Sequence, residues 1–257
     1  MGICSFVHLL VLLHLRCSTN SVDYYVKPSS AESKQCLPSG ARAQQCKTLD
    51  EYAANSTEEF QEGDVRLLFL AGVHNLTMNL NFSQLHSVQM IPAFPGTQVK
   101  IHLLCGDRTI YMETIMTMRP AFTIKNLTIF GAKTSMIVLM DPQKVYVYGV
   151  NFYETSLFMR PRGFFLVNIA VQDSLIKQSS QTGLQIIGGD IWSLTLIVVN
   201  SDISHNQQGG IIVKSHAGDV HVNITNSTIE GINLLLAPEI WELLELAFIL
   251  PKLILPI

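Results

Sequence analysis

The chain has 257 residues, of which 48% are hydrophobic and 14% charged, enough to bury one large core and unlike the composition of a disordered segment. Its 17 Lys and Arg against 20 Asp and Glu leave a formal net charge of −3, and the basic residues are scattered. That pattern excludes the electrostatic footprint expected of a partner for nucleic acid or for an anionic membrane surface.

The chain opens with an apolar run (Ile3, Phe6, Val7, residues 9–13 and Leu15) ahead of Ser18-Thr19-Asn20-Ser21. This reads as a signal peptide over 1–21, cleaved near Ser21. No basic residue precedes the run and Arg16 follows it, so a signal anchor is the alternative. Six N-x-S/T sequons, at Asn55, Asn75, Asn81, Asn126, Asn223 and Asn226, fit a glycosylated extracellular protein with no membrane span in its mature form. Asn223 and Asn226 lie too close for both to carry sugar easily.

Residues 22–62 read as an N-terminal cap segment. Cys36 and Cys46 flank a polar stretch that needs a constraint, and a disulfide between them is expected in an oxidising compartment. Thr48-Leu49-Asp50-Glu51 has the capping-box form, and Leu49, Tyr52 and Ala53 give the short helix that follows an apolar side. Cys105 ends the alternating series Val99, Ile101, Leu103, which predicts a buried, inert thiol.

Residues 63–232 carry the repeats, beginning with irregular rungs over 67–76, 87–91 and 99–103. A polar-x-polar-apolar pattern recurs at Asn126-Leu-Thr-Ile129, Gly149-Val-Asn-Phe152, Asp173-Ser-Leu-Ile176, Asn200-Ser-Asp-Ile203 and Asn226-Ser-Thr-Ile229, in steps of 23, 24, 27 and 26 residues. Eight residues after Ile129, Ile176 and Ile203 come the apolar starts Ile137, Leu184 and Ile211, and 176–186 aligns with 203–213 without a gap, including Gly183 and Gly210. Short alternating strands such as 194–198 and 220–224 are linked by turns too short for crossover helices. An all-β, right-handed parallel β-helix solenoid satisfies these constraints, because each strand then pairs with its equivalent one rung on. Asn126, Asn200 and Asn226 are expected to form a turn ladder in which side-chain amides bond to neighbouring backbone.

After Ile229 the repeat looks broken, and 233–257 reads as a hydrophobic tail. A C-terminal helix over 239–250, bounded by Pro238 and Pro251, would cap the last rung; the other reading is a truncated end of a longer protein.

The segments Cys46-Lys-Thr-Leu-Asp-Glu-Tyr52, Leu68-Phe-Leu-Ala-Gly-Val-His74 and Phe122-Thr-Ile-Lys-Asn-Leu-Thr-Ile129 resemble the N-terminal part of secreted, pectin-lyase-like β-helix repeat proteins of simple animals, over roughly 36–232. The resemblance implies a parallel β-helix ectodomain with no established catalytic activity.

Fold alone does not carry function, so a site has to be argued from side chains. Glycoside hydrolysis needs two nearby carboxylates, and the candidates are Asp190 with Asp219, each in a Gly-Asp pair near equivalent turn positions, or Asp173 with Asp202 and His205. Gly-Asp is also an ordinary turn pair, and neither set has the adjacent Arg or Lys that a lyase would need for a uronate. His205 and His216 read as exposed turn residues and His221 as a strand residue. No Cys/His spacing suggests a metal, and no cofactor is implied. The expectation is a secreted, non-enzymatic module that binds glycans or other extracellular proteins; a polysaccharide lyase or hydrolase is the alternative.

Overall fold

The computed structural model describes residues 21–30, 46–60, 63–83, 85–104, 110–113, 121–162, 166–189, 191–215, 219–236, 245–249 and 253–254. Nearly all of them lie in short strands that pair in parallel with strands one coil earlier and one coil later.

One coil shows the pattern. A long strand, Ser193–Val199, turns a sharp corner into the three-residue strand Asp202–Ser204, and a polar turn leads to Ile211–Ser215. The next coil repeats this as Asp219–Thr225, Thr228–Glu230 and Ile232–Leu236. The long strands stack into one nine-stranded parallel sheet that begins with Val22–Val26 and ends with Glu245–Ile249. The two shorter faces merge into a single sheet, because Thr128–Met140 and Asn151–Arg160 run through both.

Register explains why the sequence chooses this arrangement. Val65, Val88, Phe122, Val145, Ile169, Leu196 and Val222 pair in succession, so one buried apolar column runs along the coil. On the short face the column is Ile101, Ile129, Phe152, Ile176, Ile203 and Ile229. Each such side chain removed from water contributes about 1.5–3 kcal/mol. A one-residue slip would turn a whole strand's apolar set outward, so the register is strongly specified. Ile176 opposite Ile203, and Leu184 opposite Ile211, are the pairings that the gapless alignment requires.

The glycines before the second apolar run are required by space. A Cβ on Gly183 would lie 2.6 Å from Asn206 Nδ2, and one on Gly210 would lie 2.6 Å from the Ile203 carbonyl oxygen.

The N-terminal end is closed as the capping box predicts. Helix α1 (Leu49–Ala54) has Thr48 accepting from the Glu51 N–H, while Glu51 Oε2 accepts from the Thr48 N–H at 2.6 Å. Leu49, Tyr52 and Ala53 are buried, and Tyr52 joins Tyr24, Phe60 and Phe82 in an aromatic cluster under α1 and the following turn, α2 (Ser56–Glu59).

Two expectations change. The solenoid starts before residue 63, since Val22–Val26 pairs with Gly63–Phe69 across more than forty residues of chain. It also continues past 232: Ile232–Leu236, Glu245–Ile249 and Leu253–Ile254 pair with the three strands of the preceding coil. The C-terminal helix expected over 239–250 is therefore replaced by strand at 245–249, while 237–244 and 250 lie outside the described residues. The physical reason is the unpaired edge of the preceding strand, whose N–H and C=O groups an apolar run with β-forming Phe248 and Ile249 can satisfy.

Candidate functional site

The repeated feature with chemical consequences is the corner between the long and short faces. Asn126, Gly149, Asp173, Asn200 and Asn226 each occupy it with positive φ, between 47° and 62°. These are the first residues of the five repeat units, and Asn, Asp and Gly tolerate this left-handed conformation best. At Gly149 a Cβ would also meet Asn126 Oδ1 at 2.5 Å.

Backbone hydrogen bonds tie each corner to the next. Asn126, Gly149, Asp173 and Asn200 donate to the carbonyls of Tyr148, Gln172, Val199 and Thr225 at 2.9–3.0 Å. The expected amide-to-backbone ladder is instead a ladder of hydroxyls one residue further on. Ser174, Ser201 and Ser227 are buried; their hydroxyls donate to the carbonyls of Gln172, Val199 and Thr225 and accept from the N–H groups of Val150, Ser174 and Ser201. Asn126, Asn200 and Asn226 are exposed. The amide that does staple coils is buried Asn206, which accepts from the Ser179 N–H and donates to the Ile176 carbonyl, both at 3.0 Å.

With the backbone satisfied internally, corner side chains are left to face solvent. They line a shallow, open groove formed by Asn151, Asp173, Leu175, Asn200, Asp202, Asn226 and Thr228, over the serine ladder. Asn200 Nδ2 donates to Asp173 Oδ1, and Gln172 Nε2 to Asp173 Oδ2, each at 3.1 Å. Asp202 is held from the neighbouring column: Lys177 Nζ lies 2.5 Å from Oδ2, and the Ser204 hydroxyl donates to Oδ1 at 2.6 Å. Lys177 thus corrects the expectation that no base stands beside this carboxylate set, although no Arg or Lys is among the described residues that line the groove itself.

The candidate catalytic residues are placed as follows. Asp173 and Asp202 border the same groove but are not equivalent, since Asp202 pairs with Leu175 and Asp173 stacks against Asn200. His205 follows at an exposed turn with φ of 58°; its Nδ1 is 2.9 Å from the Ser204 hydroxyl and its N–H donates to Glu230 Oε2 at 2.6 Å. A serine nucleophile requires histidine to accept the hydroxyl proton. Here the hydroxyl has a carboxylate at 2.6 Å, so the geometry is that of a polar turn. Asp219 opens its long strand opposite Ser193. Asp190 itself lies outside the described residues.

Of the sequons, Asn55, Asn126, Asn223 and Asn226 are exposed, and Asn75 and Asn81 are half-buried. Cys36, Cys105 and His216 lie outside the described residues; Val99, Ile101 and Leu103 face inward as their alternation predicts. His221 is on a strand and exposed. Among the described residues no helix is long and apolar enough to cross a membrane, and no group of three or more His, Cys, Asp or Glu is placed to hold a metal ion.

The sequence signal for the hydroxyl ladder was present: Ser174, Ser201 and Ser227 share the second position of the repeat. That position points into the coil, where a hydroxyl can serve two backbone groups at once.

No family model, curated protein or solved structure matches the chain. Its assignment as a parallel β-helix repeat protein rests on the stacked strands alone.

Proposed function

We propose that this chain is a secreted extracellular β-helix module that binds glycans or other extracellular proteins through its corner groove, without catalysis. The observation that carries the reading is the groove itself, where successive coils present polar side chains to solvent over a backbone that is already satisfied. Passage through the secretory pathway is supported by the exposed sequons at Asn55, Asn126 and Asn223, with Asn226 left to the groove, and the Cys36–Cys46 disulfide, cleavage near Ser21 and kinship with pectin-lyase-like proteins belong to the same proposal.

One observation favours an enzyme: Asp173 and Asp202 share a groove, as a glycoside hydrolase's carboxylates would. Against it, Asp202 and Lys177 are already paired with each other, which occupies both the carboxylate and the cation that a uronate's developing charge would need.

The test is to incubate the purified chain with polyuronates, sulfated glycans and neutral polysaccharides and to measure retention and product release together. Retention with no product is the expected result. Product release abolished by Asp173→Asn or Asp202→Asn would overturn the proposal.

A further inference from the structure

The corner groove is built from two parallel columns. One holds the corner residues Gly149, Asp173, Asn200 and Asn226; the other, two residues on, holds Asn151, Leu175, Asp202 and Thr228. Each coil therefore contributes one small polar set, repeated at the strand spacing of about 4.8 Å.

Three properties of these columns select a ligand. First, the chemistry is amide, hydroxyl and carboxylate, groups that exchange paired hydrogen bonds with vicinal hydroxyls. Second, the charge is negative: Asp173 is held by amides, Asp202 is paired with Lys177, and no other base is among the described residues of the lining to receive carboxylate or sulfate. A polyanion laid here would meet like charge with no compensating cation. Third, the corner's backbone N–H groups donate to carbonyls of the neighbouring coil, and the strands on either side are paired on both edges. An extended peptide therefore finds no edge to join, and recognition has to run through side chains. On the long-face side of the same corner, Tyr148 is 42% exposed and directly precedes Gly149, which has no side chain to screen it.

Resting on the reading of the chain as a binding module, we infer that the groove takes a neutral, hydroxyl-rich glycan chain lying along the axis of the stack. A pyranose is about as long as a coil is high, so consecutive sugars meet consecutive coils, and Tyr148 offers an apolar surface for a ring at one end.

The experiment is affinity electrophoresis of the full chain through gels holding soluble xylan, galactomannan or mixed-linkage β-glucan, and through gels holding polygalacturonate or heparin, each at low and high salt. Retardation is expected in at least one neutral gel, nearly independent of salt, with none in the polyanion gels. Asn200→Gly and Asn151→Ala, neither of which touches a sequon, should each weaken it several-fold, up to about tenfold. Glycine is already accommodated at this column at Gly149, so the first variant keeps the corner, and an unchanged melting curve confirms it. Asp173→Asn should raise retention in the polyanion gels, because it removes the repelling charge. Gln207→Ala, on a different turn, serves as the control and should migrate as the parent does.

Salt-sensitive retardation by polyanions, neutral retardation indifferent to both groove substitutions, or no retardation in any gel would each overturn the inference. In the last case, capture of a protein ligand lost in Asn200→Gly would leave the binding-module reading standing and the glycan assignment refuted. Sugar release into the gel buffer would instead overturn the module reading itself.

Discussion

Gly149 occupies the one described corner in the repeat column where neither Asn nor Asp is found, and the reason is local. Its φ of 62° disfavours any side chain, and a Cβ would press on Asn126 Oδ1. Gly149→Ala should cost about 1–2 kcal/mol from the left-handed backbone, since the exposed Asn126 side chain can swing clear of the new Cβ. A denaturant titration with an unmoved midpoint would contradict this. His74 stands in a column that is otherwise apolar, directly opposite Ile101, fully buried, its Nε2 2.9 Å from the Leu70 carbonyl and its ring edge-on to Phe69. Burial pushes its pKa below the ordinary histidine value, partly offset by hydrogen bonding to backbone carbonyls. A depressed native pKa means that the unfolded chain takes up the proton first as pH falls. Stability is therefore lost below about pH 6.5, down to the native value, by at most about 1.4 kcal/mol per pH unit. His74→Leu should flatten the change in urea midpoint between neutral and mildly acid pH; an equal change in both proteins would contradict the assignment.

At the scale of elements, the serine ladder holds neighbouring corners together. Ser201→Ala would leave the buried Ser174 N–H without its acceptor and the half-buried Val199 carbonyl without its hydroxyl donor. The expected loss is about 1–3 kcal/mol, larger than for removing the exposed Asn200 amide. Comparable losses at the two positions would show that the ladder lies elsewhere. Much of this architecture could be read from the chain beforehand. The steps of 23, 24, 27 and 26 are the register offsets Lys125–Tyr148, Tyr148–Gln172, Gln172–Val199 and Val199–Thr225. Thr48 and Glu51 announced α1 because a capping box is a local signal. Val22–Val26 gave no such signal, since its partner is distant and no earlier copy exists to align with it. The groove was only half legible. Asp173 and Asp202 were visible as candidates, but their offset by one column follows from strand register.

At the scale of the whole molecule, the corner groove and stability come from the same stacking, one side chain in and the next out. Inward columns bury the apolar set and the serines, and outward columns at the corner compose the groove. Changing the number of residues between Asn200 and Asn226 would therefore disturb core and groove together. The most direct test is nuclear Overhauser spectroscopy on the chain with isoleucine methyls labelled. Cross-peaks between Ile176 and Ile203 and between Ile203 and Ile229 are predicted, since each pair sits side by side in adjacent strands. Absence of both, with Ile203 methyls instead close to residues of a separate layer, would contradict the stack and remove the groove that depends on it.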